Sequence, residues 1–393
     1  MANRGDKLKI AIIAPPWLKL FPGCFYGIEI MLQNLASELT RQGHSVHLFS
    51  VSGTKTKVTK LHWYHKDEQY KYIHRPFYEA APIVISHIQY ALNIIRKQGD
   101  FDIVHDHNSY IGPAILANST DLPPILHTLH EPFSDERMLS RGIPDNRLMF
   151  DQFRHIDHLF FNGVSKAQIK GAPPSIKKRI KGVVYNGVDV NDHYFSADKD
   201  NYFVNIGSLT PEKGVDVAVK VCYELGLNLK LAGTIGGGIK SPEQLKRELR
   251  RTVRRESEDP FFLFFKQKVF SYLKPRQIMY LGTVSGTAKK RLYSQARAFL
   301  NPINRDEPFG ISVVDSLASG TPVVSYRRGA MPEIIQHGVN GFLADNYHEF
   351  KTYVKRIDEI DPADCRDSVV KKFSADVMAQ NYADLYRKII REE

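Results

Sequence analysis

NPINRDEPFGISVVDSLASGTPVVSYRRGAMPEIIQHGVNG, residues 301–341, decides how the rest of the chain is read. ISVVDSLAS carries apolar residues at helical spacing, and Gly320 supplies a C-terminal stop. Pro308 suits the first turn of that helix, where its missing N–H costs nothing. After the Gly-Thr-Pro turn, PVVSY predicts a short buried strand, and MPEIIQHG predicts a second short helix ending at Gly338. Glu307 is thereby expected at the mouth of a helix, where free N–H groups and the positive dipole end gather anions and hydroxyls. Asp315 follows seven intervening residues later, ~12 Å further along the helix axis. Taken alone, the run also suits an ordinary helix–turn–strand unit with an incidental acidic pair.

Outward from this run the same pattern repeats. LKIAIIAPP (8–16) reads as a buried parallel strand ending in a loop, WLKLFPGCFYG (17–27). A helix follows with Ile28, Met31, Leu32, Leu35 and Leu39 on one face and a stop at Gly43, then the strand SVHLFSV (45–51). This opening predicts a doubly wound α/β sheet. The first loop lacks the G-x-G-x-x-G of a dinucleotide site, which counts against a nicotinamide enzyme. YFVNIGSLTPEKGVDVAVKVCYELG (202–226) restarts the pattern with a strand, a polar loop and an amphipathic helix.

Composition sets bounds. At 393 residues, 42% of them hydrophobic, the chain has the length and apolar content for two domains. Cys24, Cys222 and Cys365 are far apart and form no metal or redox spacing, as expected of a reducing compartment. MANRGDKLKIAIIAPPW has a short apolar run ending in Pro-Pro, without a cleavage pattern, so it reads as a first strand rather than a signal peptide. No apolar stretch approaches the ~20 residues of a membrane span. The expected location is the cytoplasm, with peripheral contact at the inner membrane face as an option. A net charge of +11 favours an anionic partner: an anionic small molecule or acceptor, or an acidic membrane surface. No nucleic-acid motif accompanies the charge.

The run at 301–341 resembles the signature of the retaining GT-B glycosyltransferases, and within them glycosyltransferase family four. That signature has two glutamates separated by seven residues around Pro-Phe-Gly, ahead of Ala-x-Gly-Thr-Pro-Val-Val. Glu307, Phe309, Gly310, Gly320, Thr321, Pro322 and Val323 match, while Asp315 stands in place of the second glutamate. VVYNGVDVNDHYF (183–195) matches the family's interdomain junction. The resemblance implies a Rossmann-like acceptor-side domain over residues 1–190 and a Rossmann-like nucleotide-sugar-binding domain over 191–375. A final helix, 376–393, crosses back to the first domain, and the active site lies in the interdomain cleft.

The implied activity is transfer of a hexose-type residue, with retention, from a nucleotide diphosphate sugar (UDP- or GDP-linked) to an acceptor hydroxyl. No cofactor and no metal are implied. Glu307 would bind the sugar hydroxyls with the amides of Phe309, Gly310 and Ile311, and Asp315 the ribose; the separation of the two acids suits the reach from sugar to ribose. PPILHTLHEPF (123–133) reads as a strand ending at His130, which would face the reacting sugar. Gly27 matches a loop that approaches the donor phosphates or acceptor, although Tyr26 replaces one family glycine. Gly207, Lys213 and Gly214 match the phosphate-binding loop, and Ser208, expected to touch the donor there too, stands where the family has an arginine, which removes a bidentate clamp. The loop around Val284 would cup the base through its backbone. The alternative is a non-catalytic GT-B protein, a regulatory partner or a sugar-nucleotide or membrane-binding module, motivated by Ser208 and Asp315. A glycoside hydrolase fits poorly, since its two carboxyls need to sit roughly 5–10 Å apart.

Other features have plain readings beside sharper ones. Asp100-Phe101-Asp102 has the form of a metal-binding D-x-D, and His105, His107, His127 and His130 invite a zinc reading. Neither has the company of ligands that would strengthen it. Trp17, Leu18, Leu20 and Phe21 either cover an acceptor, enter a membrane surface or pack on the domain edge. SIKKRIKG (175–182) and KRELRRTVRRESEDP (246–260) read as solvated basic helix faces, with anionic membrane contact as the sharper option.

Overall fold

The computed structural model describes residues 7–24, 27–73, 77–133, 142, 145–236, 238–251, 259–274 and 276–392, with the side chains of residues 77 and 78 left aside. The chain divides into two compact units, residues 1–189 with 373–393, and residues 190–372.

In the first unit the strands are β1 (Lys9–Ile13), β2 (Ser45–Ser50), β3 (Lys60–Trp63), β4 (Ile103–Asp106), β5 (Ile125–Leu129), β6 (Leu159–Gly163) and β7 (Ile180–Val183). Among the described residues they form one seven-stranded sheet, ordered β3-β2-β1-β4-β5-β6-β7. Every neighbouring pair is parallel. Parallel strands buried on both faces read as continuous apolar runs, which is how KIAII and ILHTL were legible. Ile10, Ile12, Ile103, Ile125 and Leu159 are fully buried. The order reverses between β1 and β4, so the switch point lies at their carboxyl ends, where ligands bind in open α/β sheets.

In the second unit the strands are β8 (Phe203–Ile206), β9 (Leu229–Ala232), β10 (Ile278–Gly282), β11 (Ala298–Asn301), β12 (Val323–Tyr326) and β13 (Gly341–Ala344). The order β10-β9-β8-β11-β12-β13 is again all parallel, with its switch point between β8 and β11. The doubly wound α/β architecture expected from the strand–loop–helix repeats is the one present.

The last helix, Ala375–Glu392, belongs to the first unit. Its buried face includes Met378, Tyr382, Tyr386 and Ile389. The Val188 and Ala375 backbones are joined by a 2.9 Å hydrogen bond, and a Cβ on Gly187 would stand 2.5 Å from the Ser374 carbonyl oxygen. The segments at 187–188 and 374–375 are thus tied backbone to backbone.

Some local expectations are corrected. The helix after Glu307 runs from Ile311 to Ala318, with Gly310 (φ 111°) as its N-cap, so Pro308 and Glu307 precede it in a loop. The ~12 Å axial spacing from Glu307 to Asp315, which assumed one continuous helix, does not apply. The second short helix stops at Ile334 rather than Gly338. SIKKRIKG is not one helix face: a 3-10 turn spans Pro174–Arg179 and the edge strand β7 begins at Ile180. The basic helix Pro242–Arg251 is present, while residues 252–258 lie outside the described residues, as does Tyr26. Leu20 is buried and Trp17 packs on the first unit's core, while Phe21 is exposed.

Candidate functional site

In the second unit the sequence-predicted residues gather at the carboxyl edge of the sheet. β8 ends at Ile206, so Gly207, Ser208 and Lys213 lie in the loop that follows it. β11 ends at Asn301, so Glu307, Phe309, Gly310 and Ile311 follow in the loop and first helical residue beyond. These two loops flank the switch point and are laced together. The Asn304 amide donates to the Glu212 carbonyl at 2.8 Å. Gly214 adopts φ 67°, and a Cβ there would stand 1.9 Å from the Pro302 carbonyl oxygen, so only glycine lets the loops meet.

Lys213 Nζ donates to Glu307 Oε2 at 2.7 Å. Arg305 donates to the same oxygen through Nε and Nη2, both at 3.2 Å. Burial pushes the Glu307 carboxyl up, but the Lys213 ammonium and the Arg305 guanidinium outweigh it and leave the group below its ordinary value. The backbone of Glu307 is fixed by its carbonyl, which accepts from the Ala330 amide at 2.9 Å. Phe309 is buried; Ser208 is exposed and presents a neutral hydroxyl.

Asp315 lies on the buried face of the helix Ile311–Ala318, 3% exposed. Both carboxylate oxygens are engaged: His193 Nε2 lies 3.0 Å from Oδ1 and Lys289 Nζ donates to Oδ2 at 2.6 Å. Burial would raise this carboxyl. The Lys289 ammonium and the His193 ring hold it well below its ordinary value instead. Lys289 comes from the helix Gly286–Ser294, which starts just after Val284. The Val284 loop is pinned to a neighbouring turn, with the Thr283 amide donating to the Lys240 carbonyl at 2.8 Å. The ends of β8, β9 and β10 also meet: the Gly233 amide donates to the Gly282 carbonyl at 2.8 Å, and a Cβ on Gly233 would stand 1.7 Å from the Gly207 carbonyl oxygen.

The first unit holds the other two predicted residues. Gly27 is the first residue of the helix Gly27–Arg41. Two positions on, Glu29 is buried and its carboxyl is raised by desolvation. His130 follows β5 directly, and its Nε2 lies 2.9 Å from His107 Nδ1. Burial, with His127 adding to it, pulls His130 down to about 3, so the ring is neutral near pH 7. The neighbouring histidines also have protein partners. His105 lies 2.6 Å from both the Tyr386 and Thr128 hydroxyls, and His127 Nδ1 lies 2.7 Å from Asp106 Oδ2. In the D-x-D run, Asp100 pairs with Lys9, and Asp102 accepts from the Lys9 amide at 2.6 Å.

Arg305, Lys289 and His193 escaped the sequence reading. Lys289 and Asp315 are 26 residues apart, and His193 and Asp315 are 122 apart, so no local spacing announces either pair. Arg305 is two residues from Glu307, and an arginine that close to a candidate site acid was a signal open to sequence.

Residues 191–362 match the family described as Glycosyl transferases group 1, and residues 25–192 match Glycosyltransferase Family 4. An uncharacterized glycosyltransferase of Methanocaldococcus jannaschii is 23% identical over 393 aligned residues, spanning 94% of this chain and 98% of that one. The N-acetyl-alpha-D-glucosaminyl L-malate synthase of Bacillus anthracis is 22% identical, with 98% of each chain covered. Among solved structures, the sucrose-phosphate synthase of Thermosynechococcus elongatus gives a TM-score of 0.71 at 16% identity, covering 98% of this chain and 100% of that one. Anabaena HepE, solved in complex with UDP and glucose, gives 0.64 at 17%, covering 96% and 98%. At these identities the structural likeness carries the fold alone, and that fold is GT-B. With the two family matches running through both units, the chain belongs to glycosyltransferase family four. It is a hexosyltransferase-type enzyme that moves sugar from a nucleotide sugar.

Proposed function

We propose that the second unit holds the sugar nucleotide through Gly207, Lys213, Val284, Glu307, Phe309, Gly310, Ile311 and Asp315, and that transfer proceeds with retention to an acceptor hydroxyl. The observation that carries this reading is the Lys213–Glu307 contact of 2.7 Å across the switch point. It sets a cation and a hydrogen-bonding carboxylate side by side at the sheet edge where α/β folds bind ligands.

Breaking the anomeric bond leaves negative charge on the diphosphate. Lys213 and the amides of the loop after β8 stabilise that charge, so the step does not call for a metal. The acceptor attacks from the leaving-group face and the departing phosphate takes its proton, so no carboxylate nucleophile is used. Glu307 accepts hydrogen bonds from the sugar hydroxyls, with the Phe309 and Gly310 amides beside it. Asp315 takes the ribose once one of its two partners gives way. The Gly282–Ser285 backbone receives a uracil or guanine base. His130 serves the reacting sugar as a neutral ring, and Gly27 permits close backbone approach. The acceptor is a glycan, a lipid or a small molecule. Contact with an anionic membrane surface belongs to the same proposal, supported by the +11 net charge and the basic helix Pro242–Arg251. Among the described residues, no helix is long and apolar enough to cross a membrane.

A thermal-shift panel of UDP, GDP, ADP and their sugar conjugates, with and without magnesium, tests the donor site. At 100-fold over its Kd a ligand should stabilise by about 2.7 kcal/mol. One base should shift the wild type without metal, and Lys213→Ala should reduce that shift. If none of them moves the wild type, the donor-site assignment fails.

A further inference from the structure

We infer that Arg305 is a diphosphate ligand, the second cation of a two-point clamp whose other member is Lys213. The inference rests on the reading of residues 190–372 as the sugar-nucleotide unit. Three observations carry it. Arg305 and Lys213 stand on different loops, after β11 and after β8, and those loops are joined across the switch point by the Asn304–Glu212 hydrogen bond of 2.8 Å. Both cations nevertheless donate to one atom, Glu307 Oε2, at 2.7 Å from Lys213 and 3.2 Å from each Arg305 nitrogen. Two positive charges are thus held within hydrogen-bond reach of a single point by one negative charge. Finally, the Arg305 side chain is 49% exposed against 14% for Glu307. The guanidinium is the more exposed member of the pair, and its Nη1 has no partner among the described residues.

A diphosphate carries at least two negative charges near neutral pH, more than one lysine offsets. A guanidinium fork suits it because its parallel N–H donors match two phosphate oxygens, while an ammonium acts as a point charge. Ser208, on the loop after β8, offers only a neutral hydroxyl. In this chain the fork comes from the loop after β11. Phosphate oxygens replace Glu307 Oε2 as the acceptors of the Arg305 fork, and Glu307 turns its oxygens to the sugar. Arg305 also sets specificity: it rewards the diphosphate and is indifferent to the base.

The test is calorimetric titration of the full chain with the nucleoside, monophosphate and diphosphate of uracil, guanine and adenine. The wild type should gain affinity from nucleoside to diphosphate for one base. Arg305→Gln should lose roughly 10- to 100-fold of that gain while nucleoside binding is unchanged. Arg305→Lys should keep part of it. Circular dichroism melts check that the variants fold. If Arg305→Gln keeps the full diphosphate gain, Arg305 is not a ligand and the sugar-nucleotide reading stands. If nucleoside and diphosphate weaken equally, Arg305 acts only by holding Glu307, and the clamp is wrong. If the wild type binds none of the diphosphates, the sugar-nucleotide reading itself fails.

Discussion

The two units obey one topological rule and fill the same part of it with opposite chemistry. In both, an all-parallel sheet reverses order at a switch point, and polar side chains collect at the carboxyl ends beside it. In the first unit that polar filling is mostly neutral. His105 lies between the Tyr386 and Thr128 hydroxyls, and Tyr382 lies 3.1 Å from Thr128 and 3.2 Å from Asn162. Burial first, and neighbouring histidines second, push His105 and His107 well below the ordinary imidazole value. In the second unit the filling is ionic: Glu307 with Lys213 and Arg305, Asp315 with Lys289 and His193. A neutral network of buried hydrogen bonds ties structure together and has no charge to lend. Cations on loops are held at a cost, which suits a place meant to meet an anion. The first network joins the final helix to β4 and β5. The second joins loop and helix residues of 190–372 that are proposed to hold the donor.

The largest effect that would sharpen this contrast is on transfer itself. Glu307→Ala removes both the carboxylate proposed to bind the sugar and the anchor for two cations. Turnover should fall on the order of 10²–10³-fold. Steady-state kinetics with the donor that the shift panel selects would show it, and turnover near wild type would remove Glu307 from the site. Asp315→Ala should be next, and should appear in stability as well as binding. It strips the partner from Lys289, whose side chain is 20% exposed. Breaking a largely buried ion pair from one side costs about 3 kcal/mol. Urea unfolding with residues 190–372 as the probed region measures this. A loss of donor affinity without a loss of stability would mean that the ion pair is not structural.

Much of this contrast was open to sequence on the fold side and closed on the charge side. KIAII and ILHTL announce buried parallel strands because both faces need apolar residues, and Gly320 marks a helix end by its left-handed φ of 72°. The loop before Ile311 was misread. Pro308 fits a first helical turn by type, but Gly310 at φ 111° starts the helix later, and no local rule orders these two signals. Lys213 and Glu307 could be nominated separately, yet their contact joins residues 94 apart and is made by the fold. Tyr382 and Tyr386 share the buried face of the final helix. Their partners His105, Thr128 and Asn162 are on three other strands or strand ends, so only the sheet order brings them together.

Acid provides a way to break the comparison without mutation. His105 and His107 are neutral in the folded chain, while the unfolded chain takes up protons below about pH 6.5. The unfolded state then binds more protons, so stability contributed by these groups is full above that pH and declines as pH falls. Each can cost up to about 1.4 kcal/mol per pH unit. Glu307 and Asp315 are shifted down, so their contribution is present above about pH 4 and is lost only below it. Between pH 6.5 and 4.5, hydrogen exchange corrected for intrinsic rates should lose protection in 103–129 before 298–326. Equal loss in both would mean that the histidine network is not held neutral.

The smallest effect tests whether the neutral network is structural alone. Tyr386→Phe keeps the ring in the core and removes the hydroxyl 2.6 Å from His105 Nδ1. His105 is fully buried, so its nitrogen is left without that partner, and the unfolding free energy should drop by roughly 1 kcal/mol. A double-mutant cycle with Thr128→Val separates the direct contact from the rest of the network, since Thr128 lies at the other ring nitrogen. Coupling between the two should be evident, because each fixes which nitrogen carries the proton. Affinity for the nucleoside diphosphate should be unchanged in both single variants. The second unit's ionic groups are drawn from residues 190–372, and the hydrogen-bond partners of Tyr386 and Thr128 named here belong to the first unit. A fall in donor affinity matching the fall in stability would show that the neutral network also serves binding, and the division between the two units would have to be redrawn.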